Sequence, residues 1–489
     1  LPPQSYAVVD LGQRISRIEL DGAPKRAKRA VFIAFSSWAA IFLGLGAPVR
    51  SALWRSRAIR LIFPPRHCNR ALTHHPPGSM SLTLLRQGLG AKPPRMWHDR
   101  PLKNHYDVVI IGGGAHGLAC AYYLAKDHGI TNVAVVDKSY IGAGGSGRNT
   151  AIIRSNYLTP EGVRFYDASV KLYEGLAQDL DFNVMFSQRG HLTLAHNDGS
   201  VRTMRRRAEV NKLQGVDSRL VYPDELARIC PQLDLSDHPR FPILAALYHP
   251  PGGIIRHDAV VWGYARGADQ RGVDIHQYTE VTGLALTNGA VTGVQTTRGD
   301  ISAGLVLSAT AGWASNVAAM AGLELPLDTF PLQACVTEPL KPFLDVVVVS
   351  GSLHVYVSQS DRGELVMGAS VDPFTSYNVA GSLDFLEGLS GHVLELFPFL
   401  SKARILRQWA GLCEMPPDFS PLMGITPVEN FLIDAGWGTY GFKASPICGK
   451  TMAQLIATRR TPDLLRPFRL SRFAEFDQVG EKGAASVGH

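Results

Sequence analysis

The sequence has little cysteine and no pattern that marks a disulfide scaffold or a zinc site. Its six cysteines are scattered over 489 residues, without a Cys-x-x-Cys pair or a Cys/His cluster at metal-ligand spacing. We therefore expect no metal centre, and this cysteine usage fits a reducing, cytoplasmic environment. After Met80 no apolar run is long enough to span a bilayer, so we expect no membrane contact for residues 80–489.

Residues 80–489 also lack the positive charge that nucleic-acid binding requires. The chain has a formal net charge of +7, but residues 1–79 hold twelve Lys and Arg against three acidic residues and carry +9. The remaining residues therefore carry −2, which gives no electrostatic case for a nucleic-acid partner.

The N-terminal stretch differs from the rest in composition. It has no methionine before Met80, and its segment KRAKRAVFIAFSSWAAIFLGLGAP places basic residues before about eighteen mostly apolar ones, as in a signal peptide or a marginal membrane anchor. The alternative is that residues 1–79 are translated upstream sequence and that the protein begins at Met80. We treat residues 1–104 as a leader outside the fold.

A strand, a glycine motif, a helix, a second strand and an acid follow one another in the most informative stretch of the chain. In order these are residues 106–111, Gly112-x-Gly114-x-x-Gly117, residues 118–126, residues 132–136 and Asp137. The glycines allow a tight turn and close approach to a pyrophosphate, while the acid accepts hydrogen bonds from ribose hydroxyls. The sequence therefore predicts a dinucleotide site, and the acid argues against a 2′-phosphorylated cofactor.

Turns elsewhere in the chain favour FAD over NAD. The glycine-rich loop at 141–157 carries Arg148 and Arg154 and can wrap around an extended cofactor, and a strand before 309–312 ends in small residues. Near the C terminus a strand, a glycine turn at 436–441 and a helix offer more backbone to the ligand. Contacts from both chain ends imply a discontinuous FAD-binding domain with another domain inserted.

We predict an α/β protein with a Rossmann-like, glutathione-reductase-like FAD-binding domain and an inserted α+β substrate domain built on a mixed or antiparallel sheet. The FAD-binding domain is assigned to 105–185, 248–325 and 413–475, the substrate domain to 186–247 and 326–412, and a C-terminal tail to 476–489.

The inserted region shows sheet patterns and one charged helix. Residues 186–195 and 354–368 predict strands, in which His354 and Tyr356 fit a half-buried pair. The stretch SVRTMRRRAEVNKLQG at 200–215 predicts a helix whose arginines form a solvated or subunit-facing surface.

A histidine stands where a glycine turn becomes a helix, in the sequence GGIIRHDAVVWGYAR at 252–266. The residue pattern alone leaves capping, metal binding, catalysis and covalent attachment open for His257. Asp258 is a candidate N-cap of the helix that follows.

From about residue 103 onward the sequence resembles the sarcosine oxidase β-subunit family, within the glycine oxidase and D-amino-acid oxidase superfamily. The stretches that carry the resemblance keep their order along the chain: YDVVIIGGGAHGLACAYYLAKDHGITNVAVVDK, RNTAIIRSNY, FSQRG, GGIIRHD, HVYVSQ, GELVMGA and GWGTYGFK. The family begins near the position of Met80, which favours an upstream origin for residues 1–79.

The resemblance implies oxidative demethylation of sarcosine to glycine. Hydride passes to noncovalent FAD, electrons move on to a covalent FMN and then to O2, giving H2O2, and the one-carbon unit leaves as formaldehyde or is captured by tetrahydrofolate. The resemblance also implies a heterotetramer with FMN at the α–β interface, folate and NAD sites on the α subunit, and γ and δ subunits. The alternatives are a related FAD-dependent oxidase or dehydrogenase of glycine, proline or dimethylglycine, and an electron-transfer or scaffold subunit that oxidises no amine.

The resemblance also assigns roles to residues, with no metal ligand and no general base among them. Arg154 and Lys443 match the positions that bind the substrate carboxylate, a task suited to a guanidinium and a point charge. His257 matches the histidine to which relatives attach FMN through the flavin 8α-methyl group, and Arg256 would balance charge on that FMN. Residues 364–370 lack the lysine that activates O2 in one-subunit relatives, so this FAD is expected to react poorly with O2. FAD contacts are expected from Gly112, Gly114, Gly117, Asp137, Lys138, Arg148, Asn149, Thr150, Val281, Gly312, Gly436, Gly438, Thr439 and Gly441.

Overall fold

Strands and helices alternate along the residues that the computed structural model describes, which are Gly88 and residues 95–481. The strands are β1 (His105–Ile111), β2 (Val133–Val136), β3 (Ile152–Ile153), β4 (Ser187–Gln188), β5 (His191–Ala195), β6 (Arg219–Val221), β7 (Ala245–His249), β8 (Gly253–Ile254), β9 (Asp274–His276), β10 (Val281–Thr287), β11 (Ala290–Thr296), β12 (Ile301–Ser308), β13 (Asp328–Pro339), β14 (Val347–Ser350), β15 (Val355–Gln359), β16 (Glu364–Val371), β17 (Ile405–Met415), β18 (Leu422–Ile425) and β19 (Phe431–Ala435). The helices are α1 (Ala115–His128), α2 (Gly145–Arg148), α3 (Pro160–Asp179), α4 (Asp198–Leu213), α5 (Pro223–Ile229), α6 (His257–Asp269), α7 (Ala314–Ala319), α8 (Leu383–Leu396) and α9 (Gly441–Thr458). Short 3-10 turns lie at Ala311–Trp313, Pro398–Lys402, Arg466–Phe468 and Leu470–Phe473.

The first sheet has a parallel centre in the order β19-β12-β1-β2-β9. The β10–β11 hairpin joins beside β12, and β18 runs antiparallel to β19. Strand β1 is an apolar, β-branched run that suits a buried parallel strand. Helix α1 begins directly after the glycine motif and ends at Gly129, whose left-handed backbone (φ 67°) closes it. This β1–α1–β2 unit is the dinucleotide-binding arrangement that the sequence predicts.

Two glycines allow close packing around α1, one against the turn that precedes it and one against a helix from a distant part of the chain. A Cβ on Gly117 of α1 would lie 2.1 Å from the Gly112 carbonyl oxygen, so glycine lets the helix start directly against the turn. A Cβ on Gly449 of α9 would lie 2.4 Å from the Cβ of Ala119, so α9 packs directly on α1. Both helices contribute to one hydrophobic core against the first sheet.

The second sheet is mixed, in the order β17-β13-β16-β15-β14-β5-β7-β6. The β14–β5 pair is parallel, and the other pairs are antiparallel. Because side chains alternate along a strand, Leu192 and Leu194 of β5 enter a core with α8, whereas His191 and Thr193 face the opposite side. The α/β architecture with a mixed sheet is confirmed. The boundaries of the two domains stay a prediction.

Helix α4 corrects one expectation about its arginines. Arg202, Arg205 and Arg206 are exposed as predicted, but Arg207 is fully buried. Residues 204, 207, 208 and 211 are the buried positions of α4, and their i, i+3, i+4, i+7 spacing marks a single helix face. The prediction of a solvated arginine surface is therefore wrong for Arg207.

The described end of the predicted leader, residues 95–104, contacts the fold through ion pairs. Arg100 Nη1 lies 3.1 Å from Asp269 Oδ1, and Lys103 Nζ lies 2.8 Å from Asp274 Oδ2. Both carboxylates are buried, so these cations supply their counter-charge. The basic and apolar segment before Met80 lies outside the described residues. Among the described helices, none is long and apolar enough to cross a bilayer.

Candidate active site

A cavity of about 610 Å³ lies between the carboxyl ends of β1, β2 and β12 and the facing side of the second sheet. This is the place where open parallel sheets generally bind ligands. The predicted site residues that line it are Gly112, Gly114, Asp137, Lys138, Arg148, Asn149, Thr150, Arg154, Val281, Gly312, Gly438, Thr439, Gly441 and Lys443.

The turn after β1 is shaped to admit a ligand close to the backbone. Gly112 has a φ of 113°, and a Cβ there would lie 2.3 Å from the Ala309 carbonyl oxygen, so another residue would not fit. Asp137, at the end of β2, accepts hydrogen bonds from the Gly113 and Ser139 amides, both at 2.8 Å. Burial raises the pKa of this carboxyl group, and the two amides counteract that effect. The carboxylate is thus fixed beside the glycine turn, as binding of a ribose requires.

The rim of the cavity is formed by α2 and the residues after it. The Arg148 guanidinium folds back onto the carbonyl oxygens of Ala143 and Gly144, and Ala151 N donates to Asn149 Oδ1 at 2.6 Å. Trp409 of β17 donates from its indole nitrogen to the Arg148 carbonyl oxygen at 2.7 Å. The second sheet therefore holds this loop in place over the first.

Arg154 and Lys443 both line the cavity although they are 289 residues apart in the sequence. Arg154 is 5% exposed, and its Nη1 donates to Asn156 Oδ1 at 3.0 Å. Lys443 is 9% exposed, and its Nζ donates to the Thr439 carbonyl oxygen at 3.2 Å. Burial and then the charge of Arg154 hold the pKa of Lys443 well below its usual value. A guanidinium and an amine whose charged form a bound anion would favour lie in one buried space, and together they form a site for a small carboxylate.

A histidine in the glycine motif, which the sequence prediction missed, connects the two chain ends. His116 Nδ1 lies 2.9 Å from Asp434 Oδ2, and its Nε2 lies 2.8 Å from the Gly441 carbonyl oxygen. Trp437 donates to Asp434 Oδ1 at 2.5 Å. Burial alone would lower the pKa of His116, but the Asp434 carboxylate raises it above its usual value. The hydrogen bonds of His116 therefore fix the turn after β19 against α1.

The same region brings His116, Asp434 and Cys448 within 4.8 Å of one another. Sequence spacing did not indicate this cluster, because His116 and Asp434 are 318 residues apart. Both ring nitrogens of His116 already have partners, and burial raises the pKa of the Cys448 thiol well above its usual value. A thiol that stays protonated is a poor metal ligand, so we interpret the cluster as structural.

Three further groups line the cavity without having been predicted there. Burial raises the pKa of Glu414 to about 7, and its carboxylate accepts from the Trp437 amide at 3.3 Å. Burial, followed by the charge of Arg154, keeps the pKa of His191 well below its usual value, so its ring is neutral. Tyr356 is almost fully buried rather than half-buried, whereas His354 precedes β15 and does not line the cavity.

The cavity does not include Gly117, Gly436, Arg256 or His257. His257 opens α6, with its ring centroid 6.5 Å from that of Phe442, which does line the cavity. The N-cap position belongs to Arg256, so Asp258 is not the cap. Instead Asp258 lies in the first turn, where its Oδ2 accepts from Arg256 Nη2 at 2.6 Å.

Comparison with known proteins, like the geometry of the site, indicates an FAD-dependent oxidoreductase. The model of the FAD dependent oxidoreductase family matches residues 107–455. The chain is 47% identical over 397 residues to the sarcosine oxidase subunit beta of Arthrobacter sp, covering 81% of this chain and 98% of that protein. It is 50% identical over 387 residues to the protein of the same name from Rhizobium meliloti (strain 1021), covering 79% and 93%.

Solved structures with the same architecture include two amino-acid oxidoreductases. The L-proline dehydrogenase from P. horikoshii gives a TM-score of 0.73 at 31% identity, covering 77% of this chain and 100% of that one. The glycine oxidase from Geobacillus kaustophilus gives 0.69 at 22% identity, covering 76% and 99%, and bears on the fold alone.

Proposed function

This chain belongs to the FAD dependent oxidoreductase family, together with the sarcosine oxidase β subunits, and on that premise we propose that it oxidises sarcosine to glycine as the catalytic subunit of a heterotetramer. The observation that carries the substrate assignment is the pair of buried cations, Arg154 and Lys443, in the cavity that begins at the glycine turn. A carboxylate-binding pair has a purpose in an amino-acid oxidase and none in a pure electron relay or scaffold.

The glycine turn and Asp137 fit FAD, because they offer close backbone approach and a fixed carboxylate at one end of the cavity. When bound, FAD supplies hydride acceptance from the N-methyl carbon and FMN supplies onward electron transfer to O2. The protein's contribution at the other end is to hold the substrate carboxylate with Arg154 and Lys443. Loss of the hydride would leave an imine, and water would hydrolyse its C=N bond to give glycine and formaldehyde. Alternatively tetrahydrofolate would capture the one-carbon unit, at a site that we assign to the α subunit.

The same cations favour the reactive form of the substrate amine. Hydride transfer needs a neutral nitrogen with a free lone pair, and nearby positive charge in an enclosed site lowers the pKa of an ammonium group. Burial, and then the charge of Arg154, lower the pKa of the Lys443 amine in the same place. His191 in the cavity wall is neutral, so the positive charge of the site comes from the other two residues. We therefore assign deprotonation of the amine to the electrostatics of the site and not to a single general base.

We further propose that His257 carries covalent FMN. Its ring is partly exposed at the start of α6, and burial lowers its pKa, so a ring nitrogen keeps the lone pair that attachment requires. Arg256 is already paired with Asp258 and would contribute only as a neighbouring charge. Residues 364–370 contain no lysine, which supports an exit of electrons through FMN. The relatives are named as β subunits, which supports an assembly with α, γ and δ subunits, and we assign this complex to the cytoplasm.

The decisive test is anaerobic mixing of the purified complex with sarcosine. Bleaching of the FAD absorbance supports the proposal, and its absence excludes sarcosine as the amine that this chain oxidises. A related activity has one specific observation in its favour, the structural match to an L-proline dehydrogenase at 31% identity. Turnover with sarcosine, dimethylglycine, glycine and proline separates these substrates.

The FMN assignment is tested separately by His257→Ala. The variant should lose acid-stable flavin fluorescence on the denatured chain and keep its extractable FAD. Fluorescence that persists in the variant would show that His257 is not the attachment site.

A further inference from the structure

A second buried arginine lies behind the cavity, on the α4 face that packs toward the segment after Arg154. Arg207 is fully buried, and its Nε donates to the Asn156 carbonyl oxygen at 2.5 Å. The same carbonyl accepts from Arg154 Nη1 at 3.2 Å. Two guanidinium groups therefore meet at one backbone oxygen, in a place that excludes water from the bulk.

Most hydrogen-bond donors of Arg207 have no acceptor within the described part of the chain. A guanidinium has five N–H donors, and neither Nη1 nor Nη2 of Arg207 has a partner among residues 95–481. Burial lowers the pKa of Arg207 to about 9, so the group stays charged at neutral pH. A buried cation with most of its donors unpaired is strongly destabilising unless a counter-charge meets it.

Neighbouring polar groups share this deficit. Asn156 Nδ2 is also buried and without a hydrogen-bond partner among the described residues, and the buried hydroxyls of Tyr157 and Tyr166 have none there beyond each other. With Arg207 these groups form what we call the Arg207 cluster. The Tyr157 and Tyr166 rings stack with centroids 3.7 Å apart, and Asn211 of α4 donates to the Tyr157 carbonyl oxygen at 2.8 Å. The cluster is thus rich in donors and joined through short contacts.

The nearest acid does not supply the missing acceptor. Glu481 accepts from the Leu158 amide at 3.1 Å, from the Thr159 amide at 2.9 Å and from the Thr159 hydroxyl. Among the ion pairs of the described residues, none joins Glu481 to Arg207 within 4 Å, although its charge reaches the guanidinium through space. Burial raises the pKa of Glu481, which weakens it further as a counter-charge.

We propose that the Arg207 cluster binds a small monatomic anion of the chloride class. Arg207 Nη1 and Nη2, Asn156 Nδ2 and the two tyrosine hydroxyls can all donate, and a halide can accept several such bonds at once, whereas a water molecule accepts two. The Tyr157 and Tyr166 rings stack, and Tyr440 packs edge-on against Tyr157 at 5.3 Å, so the donors lie among aromatic rings, where a single-atom acceptor needs the least space. The anion offsets the charge of Arg207 and so reduces its repulsion of the neighbouring Arg154 guanidinium.

The proposal predicts a specific halide effect on the holoenzyme. Thermal unfolding is measured at constant ionic strength while sodium gluconate is replaced by sodium chloride. The melting temperature should rise by a few degrees and saturate, because a ligand that binds only the folded state stabilises it by mass action. Crystals of the complex prepared in bromide should show an anomalous peak in contact with the Arg207 guanidinium.

Arg207→Met, with Arg206→Met as a matched control on the exposed side of α4, assigns the effect to this place. The Arg207 variant should lose both the halide dependence and the anomalous peak, and the control should keep both. If Arg207→Met does not fold, the bromide map of the unaltered protein decides alone. Density without an anomalous signal at Arg207, or an equal halide effect in both variants, overturns the proposal.

Discussion

Replacing Arg154 by methionine should separate carboxylate recognition from cofactor binding. The guanidinium is 5% exposed and lines the cavity beside Lys443. Removing one member of a desolvated charge pair costs about 2–5 kcal/mol. Because Lys443 remains and can hold the carboxylate alone, we take the lower half of that range. At about 1.4 kcal/mol per tenfold change, kcat/KM for sarcosine should fall by about 100-fold.

The assay is anaerobic reduction of FAD at increasing sarcosine concentrations, which yields a dissociation constant and a limiting rate. The loss should fall mainly on the dissociation constant, because Arg154 is assigned to the substrate carboxylate. The FAD content should stay close to that of the unaltered protein, because the glycine turn and Asp137 are unchanged. Dimethylamine has no carboxylate, so its slow rate of FAD reduction should fall much less in the variant than the rate with sarcosine does. Arg164→Met, at an exposed position of α3, is the matched control. A variant that keeps its FAD and whose kcat/KM for sarcosine changes less than about threefold would refute the role of Arg154.

Two further predictions concern the scaffold. Burial lowers the pKa of His249 to about 3, against about 6.5 in an unfolded chain. Between these two pH values the unfolded state binds one more proton than the folded state, so the free energy of unfolding should fall as the pH drops from about 6.5 toward 3. In that interval His249→Asn should reduce the dependence of the unfolding free energy on pH, measured in urea, by the equivalent of up to one bound proton. An unchanged pH dependence would show that His249 does not cause it. Gly112→Ala should abolish FAD retention during purification, because its Cβ would meet the Ala309 carbonyl oxygen at 2.3 Å and its φ is 113°. Gly175→Ala, in open space on α3, should keep a full complement of FAD and gain slight stability, and equal flavin loss in both variants would contradict the argument.

Local sequence predicted the dinucleotide unit because each of its parts is coded within a short window. The apolar run, the glycines and the acid lie within residues 106–137, and β1, α1 and β2 form there. The pairing of His116 with Asp434 could not be foreseen in this way, because 318 residues separate them and the sequence does not show which helix packs on which. Only the folded chain reveals that α9 rests on α1.

The burial of Arg207 was not predicted either, although the sequence contains the helical periodicity that indicates it. Met204, Ala208 and Asn211 lie on the same face of α4 as Arg207, and a helical projection groups them. Composition suggested a uniformly solvated helix, but periodicity distinguishes Arg207 from Arg206. His257 shows the opposite limit, because its position at the start of α6 was predicted from local pattern while its chemical role rests on family resemblance.

The contact of α9 with α1 also bears on how the protein is made. The ribosome releases the glycine turn and α1 more than 300 residues before Asp434 and Gly441, which hold His116 and line the same cavity. During most of synthesis the glycine turn and α1 therefore lack the C-terminal residues that complete the cavity beside His116. A nascent chain can therefore form its β1–α1–β2 unit early, but it completes the flavin pocket only when its C-terminal part has left the exit tunnel. We therefore expect the chain to bind flavin late, after most of its synthesis is complete.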